Sequence, residues 1–418
     1  MSERNSILTV EQKREPKSSQ FLRAENIHRP PQIELFSDPN SIPTGFTHGL
    51  ELVNSIPWFE PDKKTLTIRG AATPSDLILT RLCTIAGQKI ELTVKAATLN
   101  DCYRFPGGRE ELVFDALLKI ASEGHNGVFI EDSSAVAFSL SKVHRTLKLH
   151  NGGKAKFNLN EIKEALIVLN TSAFDIRLFD PEGGSESYSD NLISGLGVLS
   201  RDDWLTSSDK DVTCYARFHP MVTQAIKKMR VRPYSLTHNV QFTSPAARRL
   251  HKHLSMVYKQ ASIAHPYTIS LQTALSLVGY RNKNEAKVYS AARPIEKGLD
   301  ELVAKRIIHS WNSESAYSSG LRGRQVEADR LYTLYPHEEY CKATKQSNAI
   351  QSTMSAKMRL IQSFASEEIK PIESFDDFDA VNKLSDITRR VKSMSGDQAK
   401  KVLQKRLDGG DDEELITE

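Results

Sequence analysis

Two histidines flanking one residue, His251-Lys252-His253, form the spacing in this chain that could most readily do chemistry. On a β-strand both rings would point the same way and could hold a metal ion for phosphodiester cleavage with a tyrosine nucleophile, as a rolling-circle nicking enzyme requires. The triplet falls inside a helix predicted for residues 244–258, where positions i and i+2 diverge by about 200° and cannot share one metal. A surface or phosphate-contacting role is expected for it instead. No P-loop, paired-aspartate pattern or Ser/His/Asp arrangement stands out, and the Gly-Gly pairs starting at 107, 152 and 183 read as turns. Cys83, Cys102, Cys214 and Cys341 are too scattered for a zinc pair or a disulfide framework and read as free thiols. The expectation is a protein without enzymatic chemistry, cofactor or metal.

Recognition of phosphates and base edges has better support. The formal net charge is only +4, yet residues 211–340 hold 19 Lys/Arg against 10 Asp/Glu. Neutralising phosphates releases condensed counterions, so a local basic block suits a domain that faces nucleic acid. Within it, Lys283, Asn284, Lys287, Ser290 and Arg293 cluster early in a helix predicted for 284–305, whose other face carries Val288, Ala291, Ala292, Ile295, Leu299 and Leu302. Amide, hydroxyl and guanidinium groups are the types that pair with bases and phosphates. Pro294 interrupts this helix and is expected to kink it. Arg248, Arg249 and Lys252 are candidate phosphate contacts on the preceding long helix, and Arg322 and Arg324, in a polar loop over 312–329, are candidates for the flanking groove.

The elements that position these residues are marked by their caps. Ser244 and Pro245 open the long helix, residues 267–269 form a short strand, and Ser270 caps a helix that ends at Gly279. A turn through Tyr280-Arg281-Asn282 leads to the helix at 284, and strands are predicted at 306–311 and 330–335. Helix, strand, helix-turn-helix and strand pair are the outline of a winged helix, whose second helix of the helix-turn-helix enters the major groove.

The same grammar occurs earlier in the chain. After strands at 65–69 and 89–94, Pro106-Gly107-Gly108 opens a helix bearing Leu112, Val113, Ala116, Leu117 and Ile120; a strand at 135–138 and a helix capped by Ser139 follow. The turn His150-Asn151-Gly152-Gly153 leads to a helix at 159–169, then to strands at 173–179 and 191–199 around Pro181-Glu182-Gly183-Gly184. Lys154, Lys156 and Lys163 at its entrance are weaker candidate contacts.

The expected architecture is α+β: a flexible arm at 1–50 and two tandem winged-helix domains at 51–210 and 211–340. A strand at 212–218 and a helix at 220–229 open the second domain, and a partly disordered tail at 341–418 ends in an acidic run from Asp408. No apolar run approaches the roughly 18 residues of a membrane span, and the first twenty residues lack the apolar stretch of a secretory signal, so a cytoplasmic protein is expected.

The second unit resembles the C-terminal winged helix of TrfA-type plasmid replication initiators, through Ser244-Pro245-Ala246-Ala247-Arg248-Arg249-Leu250, Pro266-Tyr267-Thr268-Ile269 and the stretch from Tyr280 to Trp311. It covers about 100 residues; the first unit matches in outline only. In the arm, Gln32-Ile33-Glu34-Leu35-Phe36 resembles the peptide with which bacterial replication proteins dock on the β sliding clamp, with Leu35 and Phe36 as apolar anchors and Gln32 as an amide donor; Ile33 departs from the usual Leu. The resemblance implies an initiator that binds repeated origin sites called iterons as double-stranded DNA, distorts an adjacent AT-rich segment and recruits DnaA and the replicative helicase. It also implies a monomer–dimer equilibrium, with the first unit serving dimerisation. A transcriptional repressor would use the same domains, and a phage or chromosomal initiator would share the pattern. The clamp-like peptide favours replication, for which a plain repressor has no use.

Overall fold

The computed structural model describes residues 45–407 except 71, 86, 124–125, 131–132, 180–183, 198–213, 228–230, 281–287, 320–324, 369–390 and 392–393. The fold is α+β, with two hydrophobic cores, one drawing on Leu50 through Val240 and the other on Phe242 through Cys341. The change of core thus falls about thirty residues later than the expected division at 210. Strand β12 (Cys214–Phe218) pairs with β8 (Ser133–Phe138), and helix α5 (Pro220–Lys227) places Met221 and Val222 in the first core. Local alternation assigns both to the second unit, but strand partners lie far apart in sequence and alternation does not name them.

The first unit begins with β1 (Phe46–Leu50) and the short helix α1 (Glu51–Ser55), and a small sheet joins β2 (Thr67–Arg69), β6 (Cys102–Arg104) and β5 (Ala97–Leu99) in that order. Its centre is three mutually packed helices: α2 (Gly108–Ala121), α3 (Leu140–His150) and α4 (Leu159–Thr171). Their starts obey capping chemistry. The Ser139 hydroxyl accepts from the Lys142 N–H at 3.2 Å, and Asn158 and Glu161 accept from each other's backbone N–H at 2.9 and 2.8 Å. The helices and β8 follow in the expected order, but the strand pairing differs from a simple wing. Strands β9 (Ala173–Phe179) and β10 (Ser185–Asn191) form a hairpin that joins β4 (Gln88–Lys95) and β3 (Ile78–Ile85) in the order β10-β9-β4-β3. β8 instead lies in a second sheet, between β12 and β7 (Gly127–Ile130), with β11 (Ile193–Gly197) beyond β12. β13 (Val231–Ser235) pairs with β1 and leads into the short helix α6 (Leu236–Gln241).

In the second unit α7 (Pro245–Val257) starts as read, with the Ser244 hydroxyl accepting from Ala247 N–H at 3.4 Å and Pro245 in the first turn. β14 (Tyr267–Ser270) leads to α8 (Leu271–Val278), which stops at Gly279 in the left-handed region, φ 86°. Then come α9 (Val288–Ala304), β15 (Ile308–Ser319) and β16 (Gln325–Pro336), in the sheet order β14-β16-β15. A Cβ on Gly298 would lie 2.7 Å from the Ala246 Cβ and 2.9 Å from Ala247 N, so α9 and α7 pack as closely as glycine permits. Pro294 sits within α9, which continues on both sides of it.

The segment 312–329, read as a loop, is largely paired strand, with Asn312 opposite Thr333 and Ser319 opposite Gln325. Most of its described residues are polar, so the two strands show little of the apolar alternation by which a strand is recognised. The described parts of the tail are helical. Helix α10 (Glu338–Glu368) spans 31 residues and returns to the first unit, where the Ser347 hydroxyl donates to Pro233 O at 3.2 Å and Arg232 donates to Asn348 at 2.5 Å and Gln351 at 3.0 Å. Helix α11 (Gly396–Leu407) packs against α10. The acidic run from Asp408 and most of the arm, with Gln32, Leu35 and Phe36, lie outside the described residues. Cys83, Cys102, Cys214 and Cys341 are not joined in disulfides. Among the described residues no helix is long and apolar enough to cross a membrane.

Candidate nucleic-acid interface

The strongest candidate surface is the outer face of α9. Ala292, Ile295, Leu299 and Leu302 are buried in the second core with Val288 and Ala291 packed against it, which matches the inward face read from spacing. Tyr289, Ser290, Arg293 and Lys297 are left on the opposite, exposed face. Tyr289 is 60% exposed, and the Arg293 guanidinium lies over its ring, 5.2 Å from the centroid.

Polar contacts tie this helix to the β-ribbon, among them a hydrogen bond from the Tyr332 hydroxyl to Glu296 at 3.4 Å. Arg330 on β16 meets Glu296 on α9 at 2.5 Å and Glu327 at 2.9 Å, and the Trp311 indole N–H on β15 donates to Asp300 at 3.1 Å. A hydrogen bond from Ser315, with Arg330 beside it, holds the Glu327 carboxyl below its ordinary pKa. β14 pairs with β16 only over residues 331–334, so 325–330 and their partners run on as a two-stranded ribbon for about 20 Å at roughly 3.3 Å per residue. Tyr317, 62% exposed, lies on it. Arg322 and Arg324 lie outside the described residues, as do Lys283, Asn284 and Lys287. Of the predicted contacts in this unit, Ser290 and Arg293 are described on one exposed face; sequence reasoning missed Tyr289, although its i, i+4 spacing to Arg293 was the available signal.

Arg248, Arg249 and Lys252 stand elsewhere. They are 5, 4 and 2% exposed and do not lie on a surface open to phosphates. All three point from α7 into the first unit, around Glu111 and Asp115 of α2. Arg248 and Arg249 lie 3.2 Å from Glu111, and the Lys252 ammonium lies 3.0 Å from Glu111 and 2.8 Å from Asp115. Arg249 also donates to Ile56 O at 3.0 Å and stacks over Phe59, and Asn239 donates to Asp115 at 2.7 Å. Burial alone would push the Glu111 carboxyl up, but Arg249, Lys252 and Arg248 hold it well below the carboxylate range. Burial raises the Asp115 carboxyl, with Lys252 offsetting only part of it. The sequence showed cations at i, i+1 and i+4 on one helix but not that Glu111 and Asp115, themselves i, i+4, would answer them.

His251 and His253 are likewise buried rather than on the surface. The His251 ring packs by Phe242 and His238, with centroids 5.5 and 5.9 Å away, whereas His253 Nε2 meets the Tyr267 hydroxyl at 2.8 Å. The two rings thus face different partners, as their helical spacing requires. Among the described residues no group of His, Cys, Asp and Glu is arranged to hold a metal. In the first unit Lys154 is exposed, Lys163 is half-buried, and Lys156 is half-buried where burial and the nearby Arg248 depress its pKa.

The connectivity of the second unit decides its fold: a helix, a strand, two further helices and a two-stranded wing, with the first strand beside the last. The second unit is a winged helix. No protein-family model and no curated protein matches the chain. Among solved structures, two crystal structures of domains 2 and 3 of RctB align with it. One has a TM-score of 0.40 at 10% identity over 69% of this chain and 96% of that one, and the other 0.39 at 11% over 71% and 98%. The Pi initiator protein in complex with iteron DNA aligns with a TM-score of 0.31 at 13% identity over 56% of this chain and 94% of that one. Likenesses this distant add nothing to the winged-helix assignment, which rests on the connectivity.

Proposed function

We propose that the chain initiates replication by binding repeated duplex sites at an origin through its second winged helix, opening an adjacent AT-rich segment and recruiting replication proteins. The observation that carries this reading is the stripe Tyr289, Ser290, Arg293 and Lys297, exposed on the helix that a winged helix lays in the major groove. Lys283, Asn284 and Lys287 precede α9 in sequence, and Arg322 and Arg324 fall between β15 and β16; both sets belong to the proposed contact surface, with Lys154 and Lys163 of the first unit as secondary contacts.

In this reading Gln32, Leu35 and Phe36 of the arm dock on the β sliding clamp, and DnaA and the replicative helicase are recruited at the opened origin. Self-association limits initiation. Support for it comes from β3, which ends its sheet and leaves Ile78 40% and Leu82 75% exposed.

The test is binding of the full chain to duplex DNA from the replicon that encodes it, against scrambled duplex, at two salt concentrations. A preference for the replicon DNA that survives at the higher salt supports the proposal; equal, steeply salt-dependent binding to both contradicts it. A clamp pull-down with Leu35 and Phe36 replaced by Ala tests the arm: capture by the wild type and none by the variant is the expected result.

A further inference from the structure

Arg293 differs from the other described arginines of the second unit. Arg248 and Arg249 are tied to Glu111, Arg306 pairs with Glu339 at 2.9 Å, and Arg330 is held by Glu296 and Glu327. Among the described residues Arg293 has no carboxylate partner, and its guanidinium lies over the Tyr289 ring. A surface guanidinium without an anionic partner samples many rotamers in water, and a ring lying against it narrows that range.

The placement follows from helix geometry. Side chains lean toward the helix N-terminus, so Arg293 reaches back over the residue one turn earlier, which is Tyr289. A guanidinium lying on an aromatic face keeps its edge N–H groups free in its own plane. Two parallel donors in one plane are what the O6 and N7 acceptors of guanine require in the major groove. The N-terminal part of the second helix in a helix-turn-helix is also the part that reaches base edges. Tyr289 is largely exposed, so packing does not account for an aromatic residue there.

We infer that Tyr289 is a positioning residue that presets Arg293 to read one guanine of the binding site. This rests on the proposed function. The ring immobilises the guanidinium before DNA arrives, so less side-chain freedom is lost on binding. A phenyl ring serves as well as a phenol, and an ammonium in place of the guanidinium does not serve, since it lacks the planar pair of donors.

The experiment uses the full chain and a pool of random duplexes. Sequences retained by the wild type give a preferred site, and each guanine in it is then replaced singly by 7-deazaguanine, which lacks the N7 acceptor. At one guanine the wild type loses about tenfold in affinity. Arg293→Ala and Arg293→Lys no longer distinguish guanine from its analogue there, Tyr289→Ala loses most of the discrimination, and Tyr289→Phe keeps it. Melting temperatures of the Tyr289 variants stay at the wild-type value because the side chain is exposed. A preferred site with Tyr289→Ala as discriminating as wild type overturns this inference alone. A pool that yields no preferred site overturns the proposed function, and this inference with it.

Discussion

Lys252 on the first helix of the second unit and Glu111 on a core helix of the first unit form a buried ion pair at 3.0 Å, each no more than 3% exposed. Through it, and through Arg248, Arg249 and Asp115 around it, helices α7 and α2 meet face to face with their charges answered. Cations in a basic block can serve the fold rather than a ligand, and here three of them do.

Removing one side of that cluster should be costly. Glu111→Ala leaves Arg248, Arg249 and Lys252 buried around a missing anion, and a loss of about 3–5 kcal/mol is expected in urea unfolding. Pairing Glu111→Leu with Lys252→Met should recover part of the loss, because the smaller charge imbalance is easier to bury. A double variant as unstable as the sum of the singles would show that the two residues do not interact.

The buried histidines predict acid sensitivity. Burial lowers the pKa of His219 and His253 to about 4, and burial lowers that of His251 also. In the unfolded chain a histidine titrates near ~6.5. Between these values the unfolded chain binds more protons than the folded one, so stability is full above about 6.5 and falls as pH drops toward 4. Glu111, depressed further, adds its loss only at still lower pH. Thermal midpoints from pH 8 to 4 should fall below 6.5, and His253→Gln should flatten that slope; a flat wild-type profile across the window would contradict it.

The tie between recognition helix and wing should matter more for binding than for folding. Arg330 and Glu296 are 14 and 23% exposed. Glu296→Gln is expected to cost about 1 kcal/mol of stability. If the wing's angle to α9 is set by this pair, affinity for the preferred duplex should fall severalfold while affinity for scrambled duplex changes little. An equal drop on both DNAs would mean that the pair does not position the wing.

Helix α10 should stabilise the first unit although it follows the second in sequence. Asn348→Ala with Gln351→Ala removes two hydrogen bonds from the buried Arg232 guanidinium, and a loss of about 1–3 kcal/mol is expected. Hydrogen exchange should show faster opening of β1 and β13, not only of α10. Unchanged exchange in those strands would place the helix as an appendage.

Local signals carried the second unit well. Ser244 with Pro245, Ser270 and Gly279 are caps whose chemistry acts within four residues: α7 and α8 start where Ser244 and Ser270 place them, and α8 stops at Gly279. The inward face of α9 was legible for the same reason. What was not legible depends on distant partners: β8 joins β12 rather than the β9–β10 hairpin, residues 312–319 and 325–329 are strand only because they pair with residues on the opposite arm, and Arg248, Arg249 and Lys252 are buried only because α2 brings Glu111 and Asp115 to them. In each case the pattern on one segment was compatible with two environments, and the partner segment selected between them.

Recognition of repeated duplex sites by the outer face of α9 is tested most directly by a footprint. Full-length wild type and the triple variant Ser290→Ala, Arg293→Ala, Lys297→Ala, all exposed positions, would be compared on supercoiled DNA from the replicon that encodes the chain. The predicted result is a series of regularly repeated protected segments with the wild type that disappears with the variant, at an unchanged melting temperature. The same repeats protected by the folded variant would show that recognition lies elsewhere on the protein.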